Sequence, residues 1–514
     1  MTVRPLLILA WCAIALLVLA AALVAAMLVL TPNLEITNWR MMLNAMTGAQ
    51  GPQASASSVG QLLTVREGFR LDLYAGDVPK ARFLRPTAGG DLLVSQPRLG
   101  QVLLLGRDTN GDGRPERREV LLKDLDRPHG LDVGDGWLYI GESAAVGRIA
   151  FDAASGTVSG AYERILTGLP AGGNHWSRTV RLGPDGWLYV TIGSSCNVCA
   201  EEHPWRASML RLRPDGSAVE HYATGLRNSV GFDWTPWSGE LFATDNGRDL
   251  LGDDFPPCEL NRIVAGGFYG WPFINGDGVL DPDMGAGHEA LLVSALSPAH
   301  GFRAHTAPLG ITFLRNAALP AAYRRAALVA LHGSWNRSTP DGYKVVLLQW
   351  DESGRIAESD FLSGFEANGN IIGRPVDVAE AADGSIFVSD DYAGAIYRIV
   401  PDDGASRAPA AAMPVPATAP QAADPLAGID AGTIAAAHTE AQRLWRRHAC
   451  AGCHAPGTPV GDKLKSVDAR YTLQSLADYF TAPTTPMPIF PLSEAERRSL
   501  AIHLLATARE AAPR

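Results

Sequence analysis

Two groups of residues in this sequence carry the means for chemistry. The first is Cys450-Ala451-Gly452-Cys453-His454, the C-x-x-C-H arrangement for covalent attachment of haem. Two thiols add to the porphyrin vinyl groups, and the adjacent histidine supplies an axial iron ligand. A thioredoxin-like C-x-x-C would need a βαβ context, which the flanking sequence does not supply. Met487, in the Pro-framed stretch Thr484-Thr485-Pro486-Met487-Pro488, is the only methionine after the motif and is the expected second ligand. A Met/His pair raises the iron potential and suits electron transfer. The plainer use of a lone methionine is core packing.

The second group is spread along the chain. Pro128-His129-Gly130, Asn174-His175-Trp176-Ser177-Arg178, Gly225-Leu226-Arg227-Asn228, Ala307-Pro308-Leu309-Gly310 and Gly373-Arg374-Pro375 each lead into an apolar run. A single histidine at such a place is usually a hydrogen-bonded loop residue. Two histidines and several arginines at equivalent places weigh more, if the fold brings those places together. Arginines so placed suit a polycarboxylate ligand through bidentate pairing. A histidine beside that ligand could take a proton from a hydroxyl near neutral pH.

A repeated phrase of turn residues followed by an apolar run supplies the positioning elements. It reads Gly-Asp-Leu-Leu-Val at 90–94, Gly-Trp-Leu-Tyr-Ile at 136–140, Gly-Trp-Leu-Tyr-Val at 186–190, Gly-Glu-Leu-Phe-Ala at 239–243, Arg-Ala-Ala-Leu-Val at 325–329 and Gly-Ser-Ile-Phe-Val at 384–388. Most spacings are near 50 residues; the long one absorbs an insertion near 245–305. Repeats of that length built from short strands indicate a mainly β protein, a β-propeller with six blades; an irregular β-sandwich is the alternative. Pro401 to Ile429 is rich in Pro and Ala and reads as a semi-extended linker. Beyond it the pattern turns helical over Thr433–Arg447, Leu473–Phe480 and Ser493–Arg509, the last opening on a capping-box spacing. The stretch 431–511 resembles a class I cytochrome c.

The propeller strings carry a second resemblance. Gly172-Gly173-Asn174-His175-Trp176-Ser177-Arg178, Gly193-Ser194-Ser195-Cys196-Asn197-Val198-Cys199, Gly225-Leu226-Arg227-Asn228, Gly247-Arg248-Asp249 through Glu259-Leu260-Asn261, Tyr269-Gly270-Trp271-Pro272, His332-Gly333-Ser334-Trp335-Asn336-Arg337 and Gly373-Arg374-Pro375 resemble the sorbosone dehydrogenases. These are relatives of the soluble quinoprotein glucose dehydrogenases. The resemblance covers about residues 60–400. It implies a six-bladed propeller that binds pyrroloquinoline quinone (PQQ) with Ca²⁺ and oxidises sugars. It implies His175 as the base at the C1 hydroxyl or hydrated aldehyde, with hydride passing to C5 of the quinone. Arg227 would stabilise the developing oxyanion, Asn228 would hold the cofactor edge, and Arg374 would pair with a cofactor carboxylate. His332 or Arg337 would stand where the glucose enzymes use a lysine, a departure in this sequence. Ca²⁺ would sit on the backbone carbonyls of Gly247 and Arg248, as a Lewis acid.

Composition bounds the rest. Lys+Arg 44 against Asp+Glu 54 gives a net charge of −10, which offers no footprint for nucleic acid. The 6 cysteines in 514 residues exclude a disulfide-rich miniature scaffold. Leu6 to Leu30 is an uncharged run of 25 residues, long enough to cross a bilayer as a helix. Arg4 before it places the N-terminus in the cytoplasm and the rest on the periplasmic side of the inner membrane; signal cleavage is the alternative. The expected order is an anchor at 5–30, a tether at 31–60, the propeller at 61–402, a linker at 403–430 and the cytochrome c domain at 431–511. Cys196 and Cys199 could pair in an oxidising compartment, leaving Cys258 as a free thiol or a partner for one of them. Asp108 to Glu119 fits a calcium-loop pattern and equally a metal-free Asp/Gly turn. The joint expectation is a membrane-anchored dehydrogenase that passes electrons from PQQ through haem to a downstream cytochrome, quinone or oxidase. A lactonase-like calcium hydrolase and a non-catalytic redox docking propeller are the rival readings.

Overall fold

The computed structural model describes Thr37, residues 51–402 except 318, and in the C-terminal part 426, 428–448, 450, 454, 464, 467, 473–481, 490 and 492–511. The expected anchor at 5–30, most of the tether and linker, Cys453 and Met487 lie outside the described residues. No helix among the described residues is long and apolar enough to cross a membrane.

The repeated phrases become the second strands of six blades. These are Leu92–Gln96, Trp137–Gly141, Leu188–Ile192, Leu241–Asp245, Ala326–Leu331 and Ile386–Asp390. Each is preceded by an innermost strand: Leu84–Pro86, Leu131–Gly134, Val180–Leu182, Ser229–Trp234, Pro308–Phe313 and Pro375–Glu380. The second strands are almost wholly buried. Both of their faces are covered by neighbouring blades, which is why they read as continuous apolar runs rather than as alternation. Outer strands such as Arg118–Leu122 have one exposed end and a mixed sequence.

The ring closes by sharing a blade between the two ends of the propeller segment. Phe69–Ala75 pairs antiparallel with Ala395–Pro401, so an N-terminal strand completes the sixth blade. Thr64–Val65 adds to the outer strand Ile356–Ser363 of the fifth. The stretch read as tether ends in a helix, Ala56–Leu62, started by a Ser55 capping box, with Val59 buried in the core of the last two blades. Adjacent blades are stitched at the inner strands. Asp132 Oδ2 accepts from Leu182 N (2.6 Å), Asp233 Oδ2 from Phe313 N (2.8 Å) and Asp377 Oδ2 from Leu84 N (2.8 Å).

Residues 406–514 form a separate compact unit. Its helices are Ala431–Arg447, Leu473–Tyr479 and Glu494–Ala511, within two residues of the expected spans. Asp430 caps the first and receives Thr433 N at 2.9 Å. Ser493 and Glu496 cap the last reciprocally, at 2.8 and 3.3 Å. First and last helices pack through Ala441, Leu444, Ala501 and Leu505, all fully buried.

Candidate active site

The starts of the inner strands meet round one mouth of the central tunnel, and contacts can be followed right round it. Arg178 O accepts from Gly130 N (2.9 Å), and the His129 ring packs at a tilt against Phe83 with centroids 4.4 Å apart. Arg82, next along, pairs with Asp391 at 2.8 Å, and Asp391 meets His332 at 3.0 Å. His332 N donates to Ala307 O (2.9 Å), and Asn246 Nδ2 reaches both Pro308 O (3.4 Å) and Asn228 O (3.1 Å). Ser194 N donates to Arg227 O at 2.8 Å, and Ser194 holds His175, which closes the circle.

The state of His175 follows from its partners. Nδ1 lies 3.0 Å from Ser194 O and 2.8 Å from Ser194 Oγ. A carbonyl only accepts, so Nδ1 carries the proton. Ser194 Oγ passes its own proton to Cys196 O at 2.8 Å, which leaves its lone pairs for the imidazole. Nε2 therefore keeps its lone pair. Burial pushes the imidazole pKa well below the ordinary value of 6.5, and the cations Arg227, Arg206 and Arg178 push it the same way. The ring is a neutral proton acceptor.

Arg227 is buried with every N–H engaged. Nε donates to Asn197 O (2.9 Å), Nη1 to Asn246 O (3.0 Å) and Gly247 O (2.9 Å), and Nη2 to Asn197 Oδ1 (2.8 Å) and Asp249 Oδ2 (3.0 Å). It is a fixed charge rather than a spare donor. The backbone amides of Arg227 and Asn228 are held together by one carboxyl, Asp245, at 2.9 and 2.5 Å. Gly193 explains how His175 and Asn228 come together. A Cβ there would lie 2.6 Å from His175 Cβ and 2.7 Å from Asn228 Oδ1. Of the two expected calcium carbonyls, Gly247 O already accepts from Arg227 and keeps a second lone pair. The Arg248 side chain is turned to Asp281 (2.7 and 2.8 Å) and Asp283 (2.8 Å).

On the far side of the mouth, Arg374 rests on carbonyls, Nε on His332 O (3.0 Å) and Nη2 on Gly333 O (2.6 Å). Burial, and then Arg374, lowers His332 to about 4, so its neutral ring donates from Nε2 to Asp391. Burial disfavours the Asp391 carboxylate, but His332, Arg82 and Arg374 outweigh it and hold its pKa down. Arg337 differs from His332. Its guanidinium bonds Asp253 O, Ala304 O (3.1 Å) and Asp254 Oδ1 (3.3 Å), so it braces the 253–254 loop.

Several residues of this mouth were given no role from the sequence: Arg82, Asn197, Arg206, Asp245 and Asp391. Each acts through a contact between distant segments, which spacing does not reveal. Asn197 alone stood inside a recognised string. Cys196 and Cys199 form a disulfide, and Cys258 is buried outside it, its thiol pushed up to about 11 by burial. In the 108–119 loop the Asp108 carboxylate accepts from Gly111 N (2.6 Å) and Gly113 N (2.9 Å) and pairs with Arg398 at 3.0 Å. That is the pattern of an Asp/Gly turn. In the helical unit, Cys450 N donates to Trp445 O and His454 N to Cys450 O, both at 3.0 Å. His454 Nδ1 has no partner among the described residues.

Fold and site together define a closed six-bladed propeller with a neutral imidazole and a buried guanidinium at one mouth of its tunnel. The family profile of the glucose/sorbosone dehydrogenases matches residues 139–398. An uncharacterized protein of Borreliella burgdorferi is 30% identical over 361 residues, which cover 67% of this chain and 92% of that protein. A pyrroloquinoline quinone-dependent pyranose dehydrogenase of Coprinopsis cinerea is 26% identical over 411 residues, 66% of this chain but only 54% of that protein. The solved structure of the PQQ domain of pyranose dehydrogenase from the same fungus superimposes with a TM-score of 0.57 at 22% identity, covering 68% of this chain and 98% of the other. This chain belongs to the glucose/sorbosone dehydrogenase family.

Proposed function

We propose that the chain is a membrane-anchored quinohaemoprotein dehydrogenase that oxidises a sugar or sugar aldehyde of sorbosone or aldose type. One observation carries the reading: His175 presents an unprotonated Nε2 beside a buried guanidinium, with its tautomer fixed from behind by Ser194. The donor set fits a planar polycarboxylate such as PQQ. His129 Nε2 and Arg374 Nη1 make no hydrogen bond among the described residues, and the absence of a Cβ at Gly193 lets His175 and Asn228 stand side by side. Bound there, PQQ supplies a two-electron carbonyl acceptor, and Ca²⁺ on the carbonyls of Gly247 and Arg248 supplies a Lewis acid.

The chain's own residues do the rest. His175 Nε2 takes the proton of the C1 hydroxyl or hydrated aldehyde. Arg227 stabilises the developing oxyanion through space, because its donors are already engaged. Asn228 would hold the cofactor edge, and Arg374, steadied by His332 O, would pair with a cofactor carboxylate. Arg337 braces the 253–254 loop. Cys450 and Cys453 would hold haem c, with His454 and Met487 as iron ligands, and it would supply a one-electron exit toward a cytochrome, quinone or oxidase. The Cys196–Cys199 disulfide supports an oxidising compartment, in keeping with a propeller held on the periplasmic side by the 5–30 segment.

The test is to mature the full chain with haem, add Ca²⁺ and PQQ, and follow the haem α-band with a panel of sugars and aldehydes. Reduction that requires both PQQ and one substrate class is the expected result. Failure to bind PQQ overturns the reading. In the same preparation Met487→Ala is expected to leave haem attached and to change its axial spectrum; an unchanged spectrum removes Met487 as ligand.

A further inference from the structure

The loop 193–199 touches the reacting groups on both sides. Its first half serves His175. Gly193 gives the imidazole room, Ser194 O and Oγ receive Nδ1–H, and Ser195 O accepts Asn174 N at 2.8 Å. Its second half serves Arg227. Asn197 takes Nε on its carbonyl (2.9 Å) and Nη2 on Oδ1 (2.8 Å). The Asn197 amide is in turn locked to Asp249, Nδ2 donating to Asp249 O (3.0 Å) and Oδ1 accepting Asp249 N (2.8 Å). Asp249 is the carboxylate that pairs with Arg227 at 3.0 Å. The disulfide between Cys196 and Cys199 straddles Asn197 and shortens the loop to a rigid bridge, and Cys196 O anchors the Ser194 hydroxyl at 2.8 Å. Short polar contacts thus run from one reacting group to the other without leaving this segment.

We propose that Asn197, presented by the disulfide-closed 193–199 loop, is the positioning residue that registers the Arg227 guanidinium with the His175 imidazole. The inference rests on the dehydrogenase reading for its catalytic consequence, and on geometry alone for the registration. A group held by one rigid strap keeps its distance from its partner through turnover, and small misplacements of reacting groups are costly. Without the Asn197 Oδ1 acceptor, Arg227 keeps its carbonyl partners but no longer has its planar brace.

The experiment has two arms. In the cofactor-free chain, the His175 imidazole is titrated by NMR, its signal identified by loss in His175→Gln. The charged groups bearing on it are Arg227, Arg206 and Arg178. In Asn197→Ala the titration is expected to move upward as Arg227 relaxes away; an unmoved titration overturns the proposal. In the second arm, with PQQ and Ca²⁺, Asn197→Ala is expected to lower kcat by roughly tenfold with KM within about twofold. Cys196→Ser/Cys199→Ser is expected to do the same, and adding Asn197→Ala to it to cost less than about twofold more. Losses that multiply independently overturn the shared strap. A parent chain that binds PQQ yet oxidises no sugar or aldehyde counts against the dehydrogenase reading alone, and the cofactor-free titration still decides the registration.

Discussion

The two mouths of the tunnel are lined by the same residue types and reach opposite electrostatic ends. At the far mouth, where the inner strands finish, a cavity of about 590 Å³ is lined by Arg85, Arg181, Asp233, Arg315 and Asp377 among others. Its cations meet carboxylates: Arg85 with Asp132 (2.6 Å), Arg181 with Asp233 (3.1 Å) and Arg315 with Asp233 (2.9 Å). At the mouth that holds His175, Arg227 and Arg82 have carboxylate partners, Asp249 (3.0 Å) and Asp391 (2.8 Å), but three further arginines, Arg178, Arg206 and Arg374, lean on carbonyls. Arg178 bonds the carbonyls of His175, Ser177 and Pro170, and Arg206 those of His175, Gly193 and Gly172. The pKa directions of Arg178 and Arg181 follow this difference. Burial lowers Arg178 to about 9, whereas Asp233 and Asp132 overcome burial to raise Arg181; Arg85, with a single carboxylate partner, is lowered by burial. Carbonyls orient a guanidinium without neutralising it, and Arg178 and Arg374 have no carboxylate within pairing distance among the described residues.

The sharpest way to test that contrast is to remove one residue from each end. His175→Ala is expected to cut kcat by about 10²–10⁴-fold while PQQ still binds. Arg315→Ala is expected to leave turnover of the folded enzyme within about twofold. A pH profile sharpens it further. Because His175 titrates below 6.5, the base stays neutral as pH falls through that value, and the acid limb of kcat/KM lies on the acid side of it. A limb at or above 6.5, or an Arg315 variant as impaired as the His175 variant, would erase the distinction between the mouths.

How far the sequence reveals this difference depends on the range of each interaction. The blades were legible because burial on both faces writes a continuous apolar run after each turn, as in Leu188–Ile192. His175, Arg227 and Arg374 were legible because each stands at a strand start, where a propeller converges. What could not be read is the charge balance. Nothing near Arg181 in sequence says that it faces Asp233, 52 residues away, or that Arg178, three residues earlier, faces carbonyls. The helix Ala56–Leu62 was hidden for a related reason. Its Gly/Ser-rich sequence has weak helix propensity, and the burial of Val59 against distant blades stabilises it.

The next effect in size falls at the neutralised mouth and on stability rather than rate. Asp233 is fully buried between Arg181 and Arg315 and also accepts Phe313 N. Burial raises its pKa, but the two arginines outweigh that and the net shift is downward. Asp233→Asn leaves the largely buried Arg181 and the more exposed Arg315 short of an anion and is expected to cost about 3 kcal/mol in urea unfolding. The sign with pH follows. A carboxyl lowered in the folded state contributes stability above its unfolded value of 3.8 and loses it as pH falls through the folded value. The deficit of the variant is therefore expected to shrink in acid. A variant as stable as its parent at pH 7 would mean that the ring of charges is not a structural seal.

Asp377 gives the smallest and most discriminating effect, because it occupies the same inner-strand position as Asp132 and Asp233 without a guanidinium within pairing distance among the described residues. Burial raises its pKa to about 7. Between 3.8 and 7 the folded chain therefore binds more protons at this site than the unfolded chain, and stability falls as pH rises across that window. Asn at this position still offers an oxygen to Leu84 N and carries no charge to desolvate. Asp377→Asn is expected to be more stable than its parent at pH 8 by about 1 kcal/mol, with the gain fading toward pH 4. Urea midpoints at the two pH values check it, and they should move opposite to those of Asp233→Asn. Equal destabilisation at both pH values would show the Asp377 carboxylate to be charged and paired across the cavity, which would make the far mouth a fully alternating ring of Arg and Asp rather than one with a single proton-sensitive gap.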